Sequence, residues 1–272
     1  MNTQDIKSPS AWGNAKIIYQ STSDWMVERR ITVGVVAFVL FSWQFYSTFL
    51  NTIGDHYFPS PLATIQQSYV RRSEILEGLL FTGSSAILGL ILATVIGVGL
   101  GIVFAEFYYV RNGLFPVVVF LYSTPAAILA PIFIIWFGTG IPAVIAFATW
   151  TAFFPIFINT VTGLTSTKEE FEQLGSLFDA SRIQMIRHIK IWHALPNIVS
   201  GIKVAVTLSM VGAIIAEYIA TGSGLGGQII SGLFRFEEGW VFGVVITIGV
   251  FSIVLYKLTC GLLDRATPQN IN

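Results

Sequence analysis

Long unbroken runs of apolar residues dominate this sequence, and each is close to the length needed to cross a lipid bilayer. A hydrocarbon core about 30 Å thick takes roughly 20 apolar residues in helical form. Six such runs can be drawn: Ile31–Leu50, Gly78–Ala105, Leu114–Phe137, Ile141–Leu164, Ile198–Tyr218 and Trp240–Leu263. In lipid every backbone amide needs an internal partner, so all six are expected to be helices and an open sheet is excluded. The expected fold class is therefore all-α, a polytopic membrane protein with six transmembrane helices. Composition agrees: 54% of residues are hydrophobic and 11% charged, where a soluble domain carries about 25% charged residues. The expected organisation is an N-terminal segment at 1–30, a six-helix domain at 31–264 carrying a long polar loop at 165–196, and a tail at 265–272.

Charge sets the expected orientation. With both termini inside, twelve Lys and Arg face the cytoplasm, among them Arg30, Arg111, Arg182, Lys190 and Arg265. Only Arg71, Arg72 and Arg235 face outward, a clear positive-inside bias. Net charge is zero and no basic stripe or tail is present, which argues against a nucleic-acid partner. Cys260 is the single cysteine, so neither an intrachain disulfide nor a cysteine metal cluster is available. The first thirty residues lack a small-residue cleavage site after an apolar run, so no cleaved signal peptide is expected.

Few residues suggest catalysis. His56, His188 and His193 are the only histidines, and all lie outside the six runs. No Gly-x-Ser-x-Gly elbow accompanies them. His188 and His193, five apart, fall on different sides of a helix, which disfavours a shared metal. An intramembrane enzyme and a membrane scaffold are the rival classes. No Gly-Lys dipeptide occurs, hence no Walker A loop, so any ATP chemistry belongs to another chain.

Several features within the runs admit two readings. Gly89, Ala93, Gly97, Gly101 and Ala105 recur every four residues, a stripe that admits close helix approach. It serves either a sliding interface or ordinary packing. Pro125, Pro131, Pro142 and Pro155 each remove a backbone donor and can kink the third and fourth runs. Glu217 is the ionisable residue best placed within a run, where such a group is functional by default; it either pairs with Arg235 or helps gate a cavity. Ser123, Thr124, Trp150, Thr151, Asn159 and Ser209 are candidate pathway-lining residues. Tyr122, Trp136, Phe153, Phe154 and Phe157 are candidates for an aromatic wall; ordinary packing explains all of these too.

The most informative stretch is polar. Ser166 to Pro196 reads STKEEFEQLGSLFDASRIQMIRHIKIWHALP. Thr167 and Glu170 have capping-box spacing, and Phe171, Leu174 and Phe178 follow at helical intervals. A second short helix is predicted from Asp179, whose carboxylate can cap it. Ile183, Ile186 and Ile189 form its apolar side. Such an amphipathic pair either lies on its own bundle or docks in a partner's groove.

This pattern resembles the EAA loop of binding-protein-dependent ABC importer permeases. Gln173-Leu174-Gly175 stands where that loop has Glu-Ala-Ala, and Asp179 where it has Gly, followed by Ala180-Ser181. Ile189-Lys190-Ile191-Trp192 occupies the Ile-x-Leu-Pro position, and Leu195-Pro196 keeps a second Leu-Pro of the nitrate/sulfonate/taurine branch. Phe58-Pro59-Ser60-Pro61, Pro131 to Gly138, Ala216-Glu217-Tyr218 and Gly224-Leu225-Gly226 resemble further motifs of that branch in order. The resemblance spans about Phe58 to Leu262.

The resemblance implies a type I importer architecture. In it, each of two six-helix subunits seats a coupling helix in a groove of a cytoplasmic ATPase, and a binding protein delivers the solute from outside. ATP and Mg are then used by the ATPase subunit, and this chain itself binds no cofactor or metal. It further implies Glu170, Phe171, Gly175, Phe178, Asp179, Ala180 and Arg182 as the coupling surface, and a bacterial cytoplasmic membrane as the location. The partners implied are ABC ATPase subunits, a substrate-binding protein and a second copy of the chain. The expected solute is a small anion such as nitrate, a sulfonate or a taurine-like molecule. A thiamine pyrimidine precursor, riboflavin or an aromatic acid is the alternative.

Overall fold

The computed structural model describes residues 30–49, 58–167, 173, 175, 177–220 and 222–266. Among these residues the regular structure is helical throughout. The chain divides into two compact units, Met1–Thr64 and Ile65–Asn272.

In the first unit, helix α1 (Arg30–Phe49) is apolar and long enough to span. The segment Phe58–Ser60 is tied to it: Trp43 Nε1 donates to the Pro59 carbonyl at 2.9 Å and Ser47 Oγ to the Phe58 carbonyl at 3.2 Å. Tyr46 meets Phe58 edge-on. The Pro-Ser-Pro motif then starts α2 (Pro61–Val70). Ser60 Oγ accepts from the Ala63 amide, and Pro61 occupies the first helical position, where its missing donor costs nothing.

The second unit continues with α3 (Arg72–Glu106), α4 (Tyr108–Ser123), α5 (Ala126–Phe137) and α6 (Ile141–Thr165). A continuous helix, α7 (Arg182–Ile219), follows. Last come α8 (Gly224–Phe234) and α9 (Glu238–Ala266). The second, fourth and sixth expected spans are thus α3, α6 and α9. At 35 residues α3 exceeds the bilayer core by several turns.

Helix α6 is the centre, packed between α3 and α7. In lipid, burial of apolar surface gives helices little reason to associate, and close van der Waals fit does the work. Small residues provide it. Gly89, Gly97 and Gly101 of α3 lie against Ala148, Ile156 and Thr160 of α6. On the other side, a methyl at Gly201 of α7 would stand 2.8 Å from the Pro155 carbonyl oxygen and 3.1 Å from Ile156 Cα. Phe147, Ile156, Val206 and Met210 fill the core between them.

Three expectations need correction. The third span is not one helix: α4 and α5 meet at a bend of 100°. Pro125 lacks the amide that would continue α4, and its ring pushes Thr124 into extended backbone at φ −73°, ψ 127°. The fifth span is not separate from the short helix before it, because α7 runs 38 residues from Arg182 and absorbs both. The join is a π-turn at Ile186–Lys190. Finally, α8 was not among the expected helices; at 11 residues it is too short to span.

Two ends of the second unit carry ion pairs. At one, Lys190 reaches Glu106 at 2.8 Å and Lys203 reaches Asp264 at 2.7 Å. At the other, Arg71 binds Glu74 at 2.6 Å and Glu237 at 2.5 Å, with its guanidinium 4.0 Å above the Trp240 ring.

Candidate functional site

The polar loop ends in an exposed helical corner. The Ala180 amide donates to the Gly175 carbonyl at 3.0 Å, spanning five residues. That is the six-to-one bond of a Schellman helix end, whose penultimate residue must turn left-handed. Asp179 fills that place at φ +49°. Glycine is the usual choice there, and aspartate is among the few residues that tolerate it. The Asp179-for-Gly departure therefore preserves the corner's backbone.

The next helix begins two residues later than predicted. Ser181, not Asp179, is its N-cap, because Asp179 is spent on the left-handed turn. Ser181 Oγ accepts from the Gln184 amide while the Ser181 amide donates to Gln184 Oε1 at 2.8 Å, a complete capping box. Gly175 is buried, and the Met185 side chain occupies the space its Cβ would need.

This corner leaves its largest apolar side chains in the open. Phe178 is 81% exposed, Leu177 79% and Ile183 75%. Arg182 and Asp179 are exposed beside them, and Ala180 is half-buried. The predicted contact residues Gly175, Phe178, Asp179, Ala180 and Arg182 are therefore brought together. Glu170 and Phe171 lie outside the described residues, so the Thr167–Glu170 capping box falls partly outside them; Thr167 Oγ1 itself donates to the Leu164 carbonyl at 3.1 Å. Leu177 and Ile183 belong to the same surface. Leu177 sits next to Phe178 in the sequence but outside the Phe171, Leu174 and Phe178 spacing read there.

A second feature lies at the break between α4 and α5. Tyr122, Ser123, Thr124 and Pro125 line a recess of about 300 Å³, closed by Trp150, Thr151 and Phe154 of α6 and by Leu208, Val211 and Ile215 of α7. Trp150 and Phe154 meet edge-to-face with centroids 5.0 Å apart, and Tyr122 lies 5.4 Å from Phe154. Thr151 Oγ1 donates across the helix interface to the Leu208 carbonyl at 2.9 Å. Thr124 Oγ1 donates back to the Phe120 carbonyl at 3.1 Å.

The remaining pathway candidates sit elsewhere. Ser209 is fully buried and donates to the Val206 carbonyl at 2.9 Å. Asn159 Nδ2 donates to Pro155 O at 2.8 Å, on the face that meets Gly201. Phe153 and Phe157 stack on each other, and Phe157 also meets Phe104 in the interior. Trp136 is 71% exposed on α5.

Glu217 is fully buried and acts as a remote cap. The first amides of a helix have no partners within it. Here the Gly226 amide donates to Glu217 Oε2 at 2.9 Å, and the Leu225 amide to Thr82 Oγ1 at 3.0 Å. Thr82 Oγ1 in turn donates to Glu217 Oε2 at 2.9 Å. The positive end of α8 favours the carboxylate there. Gly224 at φ +73° admits this contact, since any Cβ would strike the carboxylate. Glu217 thereby joins α3, α7 and α8.

Comparison with known proteins adds three findings. A family model described as the binding-protein-dependent transport system inner membrane component matches residues 93–269. The formylaminopyrimidine transport permease protein ThiX of Halalkalibacterium halodurans is 31% identical over 208 residues, covering 74% of this chain and 82% of that one. The nitrate import permease protein NrtB of Leptolyngbya laminosa is 24% identical, covering 89% and 90%. The MetNI methionine ABC transporter, solved in inward-facing conformations, shares the fold with a TM-score of 0.61 at 18% identity, over 72% of this chain and 95% of that one.

Proposed function

The chain belongs to the family of binding-protein-dependent transport system inner membrane components, and from that premise we propose how it divides labour with its partners. It is the permease subunit of an ATP-binding-cassette importer and is not itself an enzyme. The exposed corner at Leu177, Phe178 and Ile183 is the surface that seats in a cytoplasmic ATPase, and this observation carries the reading. Side chains of that size, held outward by a capped and sharply turned backbone, are anchors for a partner's pocket. ATP and Mg are bound by that partner, and this chain binds no cofactor.

The corner faces the cytoplasm, together with both termini. The clustering of Arg71 with Glu74 and Glu237 at the opposite end of the bundle supports this, because that end carries the few cations expected outside. A second copy of the chain completes the translocation path, and an extracytoplasmic binding protein delivers the solute. Closure of the ATPases moves the two corners together and switches access from one side to the other. Relatives named for nitrate and for formylaminopyrimidine share this scaffold. Both solute classes expected from the sequence therefore remain compatible with the family.

The test is copurification. The tagged chain, extracted in mild detergent, is expected to bring down a Walker-A-bearing protein in stoichiometric amount, and Asp179→Lys is expected to release it while the permease stays in the membrane. A clean preparation without an ATPase, or full solute uptake by Asp179→Lys, overturns the coupling assignment.

A further inference from the structure

We infer that a recess between the start of α4 and the end of α6 holds the headgroup and upper acyl chain of an anionic phospholipid. The inference uses neither the solute nor the ATPase of the permease reading, only a chain that spans a bilayer.

Three observations carry it. The first is charge. The recess has a volume of about 470 Å³, and Arg111, Asn112 and Thr162 form its polar rim, with no Asp or Glu among the lining residues. Arg111 is half-buried and has no carboxylate partner among the described residues; its guanidinium lies 5.8 Å from the centre of the Tyr108 ring. Glu106, on the preceding helix, is committed to Lys190. A guanidinium can meet a phosphate with two parallel N–H donors, and the Asn112 amide and Thr162 hydroxyl add neutral ones. The negative end of α6 offers little opposition. The Thr162, Gly163 and Leu164 carbonyls already accept from the Ser166 amide, Ser166 Oγ and Thr167 Oγ1.

The second is depth. Tyr108 and Tyr109 are exposed at the start of α4, beside the Lys190–Glu106 pair. Tyrosines collect at the membrane–water boundary, so this end of the bundle lies at headgroup level. Leu164, near the end of α6, packs against Ala105, so both helices leave the same boundary.

The third is the order of the lining. From Arg111 to Phe115 on α4, and from Thr162 to Ile158 on α6, each wall passes from polar to apolar in about 6 Å of helix. Val161 continues the apolar floor. A phospholipid has the same order, phosphate first and hydrocarbon below. A free anion would fill the rim and leave the floor wet. Basic recesses between helices at this level suit anionic headgroups.

The test is native mass spectrometry of the full chain, released from nanodiscs containing equal amounts of phosphatidylglycerol and phosphatidylcholine with identical acyl chains. The ratio of the two lipids retained, read on one folded species, does not depend on yield. Phosphatidylglycerol is expected to be favoured about fivefold, the scale of one arginine beside an anionic headgroup. Arg111→Gln is expected to bring the ratio near one and Arg111→Lys to keep most of the preference. Thr162→Trp fills the mouth, leaves Arg111 in place and is expected to lower the ratio as well. An even ratio in the wild type, or an unchanged one in Arg111→Gln, overturns the inference. So does full preference in Thr162→Trp, which would put the lipid on the outer surface and not in the recess. Displacement of phosphatidylglycerol by millimolar inorganic phosphate also overturns it, by making the rim a site for free anions.

Discussion

The interface between α6 and α7 and the corner at 177–183 are both built from helix and apolar side chains, yet they end in opposite states. In the interface, glycines bring two backbones close enough that a single methyl at Gly201 has no room, and Phe147, Val206 and Met210 are sealed between them. At the corner, backbone and caps are equally well determined, but the apolar groups are turned out. The difference teaches that exposure at the corner is not looseness. Local hydrogen bonds at Gly175, Ala180, Ser181 and Gln184 define its backbone without any contact to the Phe178 side chain, whereas the interface has its partner already in the chain.

The contrast can be broken most severely from the interior. Gly201→Val is expected to destabilise the bundle by about 3 kcal/mol or more, since overpacking against backbone has no side chain to yield. Fluorescence-detected size exclusion of the tagged chain would show loss of the monodisperse peak. A monodisperse Gly201→Val protein of wild-type thermal stability would mean the helices separate more easily than their packing implies.

The corner is expected to respond in the reverse way. Leu177→Asp with Phe178→Asp leaves the thermal stability of the isolated chain within about 0.5 kcal/mol, as for exposed positions generally. The same pair costs about 2–4 kcal/mol in ATPase docking, the range of interface anchors. Stability and pull-down measured side by side separate the two effects. Equal losses in both would place these residues in the fold and not in an interface.

The smallest effect sharpens the account of the corner itself. Asp179→Gly is expected to keep ATPase binding and to gain a few tenths of a kcal/mol at the helix end, while Asp179→Val loses about 1–2 kcal/mol there because a β-branched residue resists the left-handed turn. Hydrogen exchange at the Ala180 amide reports both. Identical protection in the two variants would remove the conformational explanation of that position.

The long apolar runs made the membrane class and the extents of α3, α6 and α9 legible from residues alone, because length and apolarity are what a bilayer selects. Direction was less legible. Pro125 was visible as a missing donor, but several prolines share the third and fourth runs and only here does the chain turn; Pro131 and Pro155 stay within helices. Helix α7 passed through Arg187 and Lys190 without a break, because a change from apolar to polar surface does not stop a helix and no glycine intervenes between Arg182 and Ser200. The cap at Ser181 was hidden behind Asp179, a good capper by type that the turn needed for its backbone. Of the pathway candidates, Thr124, Trp150 and Thr151 converge on one recess, while Asn159, Ser209 and Glu217 went to helix contacts that composition cannot distinguish from a lining.

The unbroken helix from Arg182 to Ile219 makes one piece of what looked like two. At 1.5 Å per residue its 38 residues measure about 57 Å, nearly twice the bilayer core. Such a rod works as a lever: a tilt of about 10° about one end carries the other about 10 Å, a distance comparable to the spacing of packed helices. Its far end holds Glu217, which grips α8, and its near end abuts the corner. On the coupling proposed above, motion imposed at the corner is carried along this rod across the membrane, and the π-turn at Ile186–Lys190, a rare winding often found at functional sites, lies between the two.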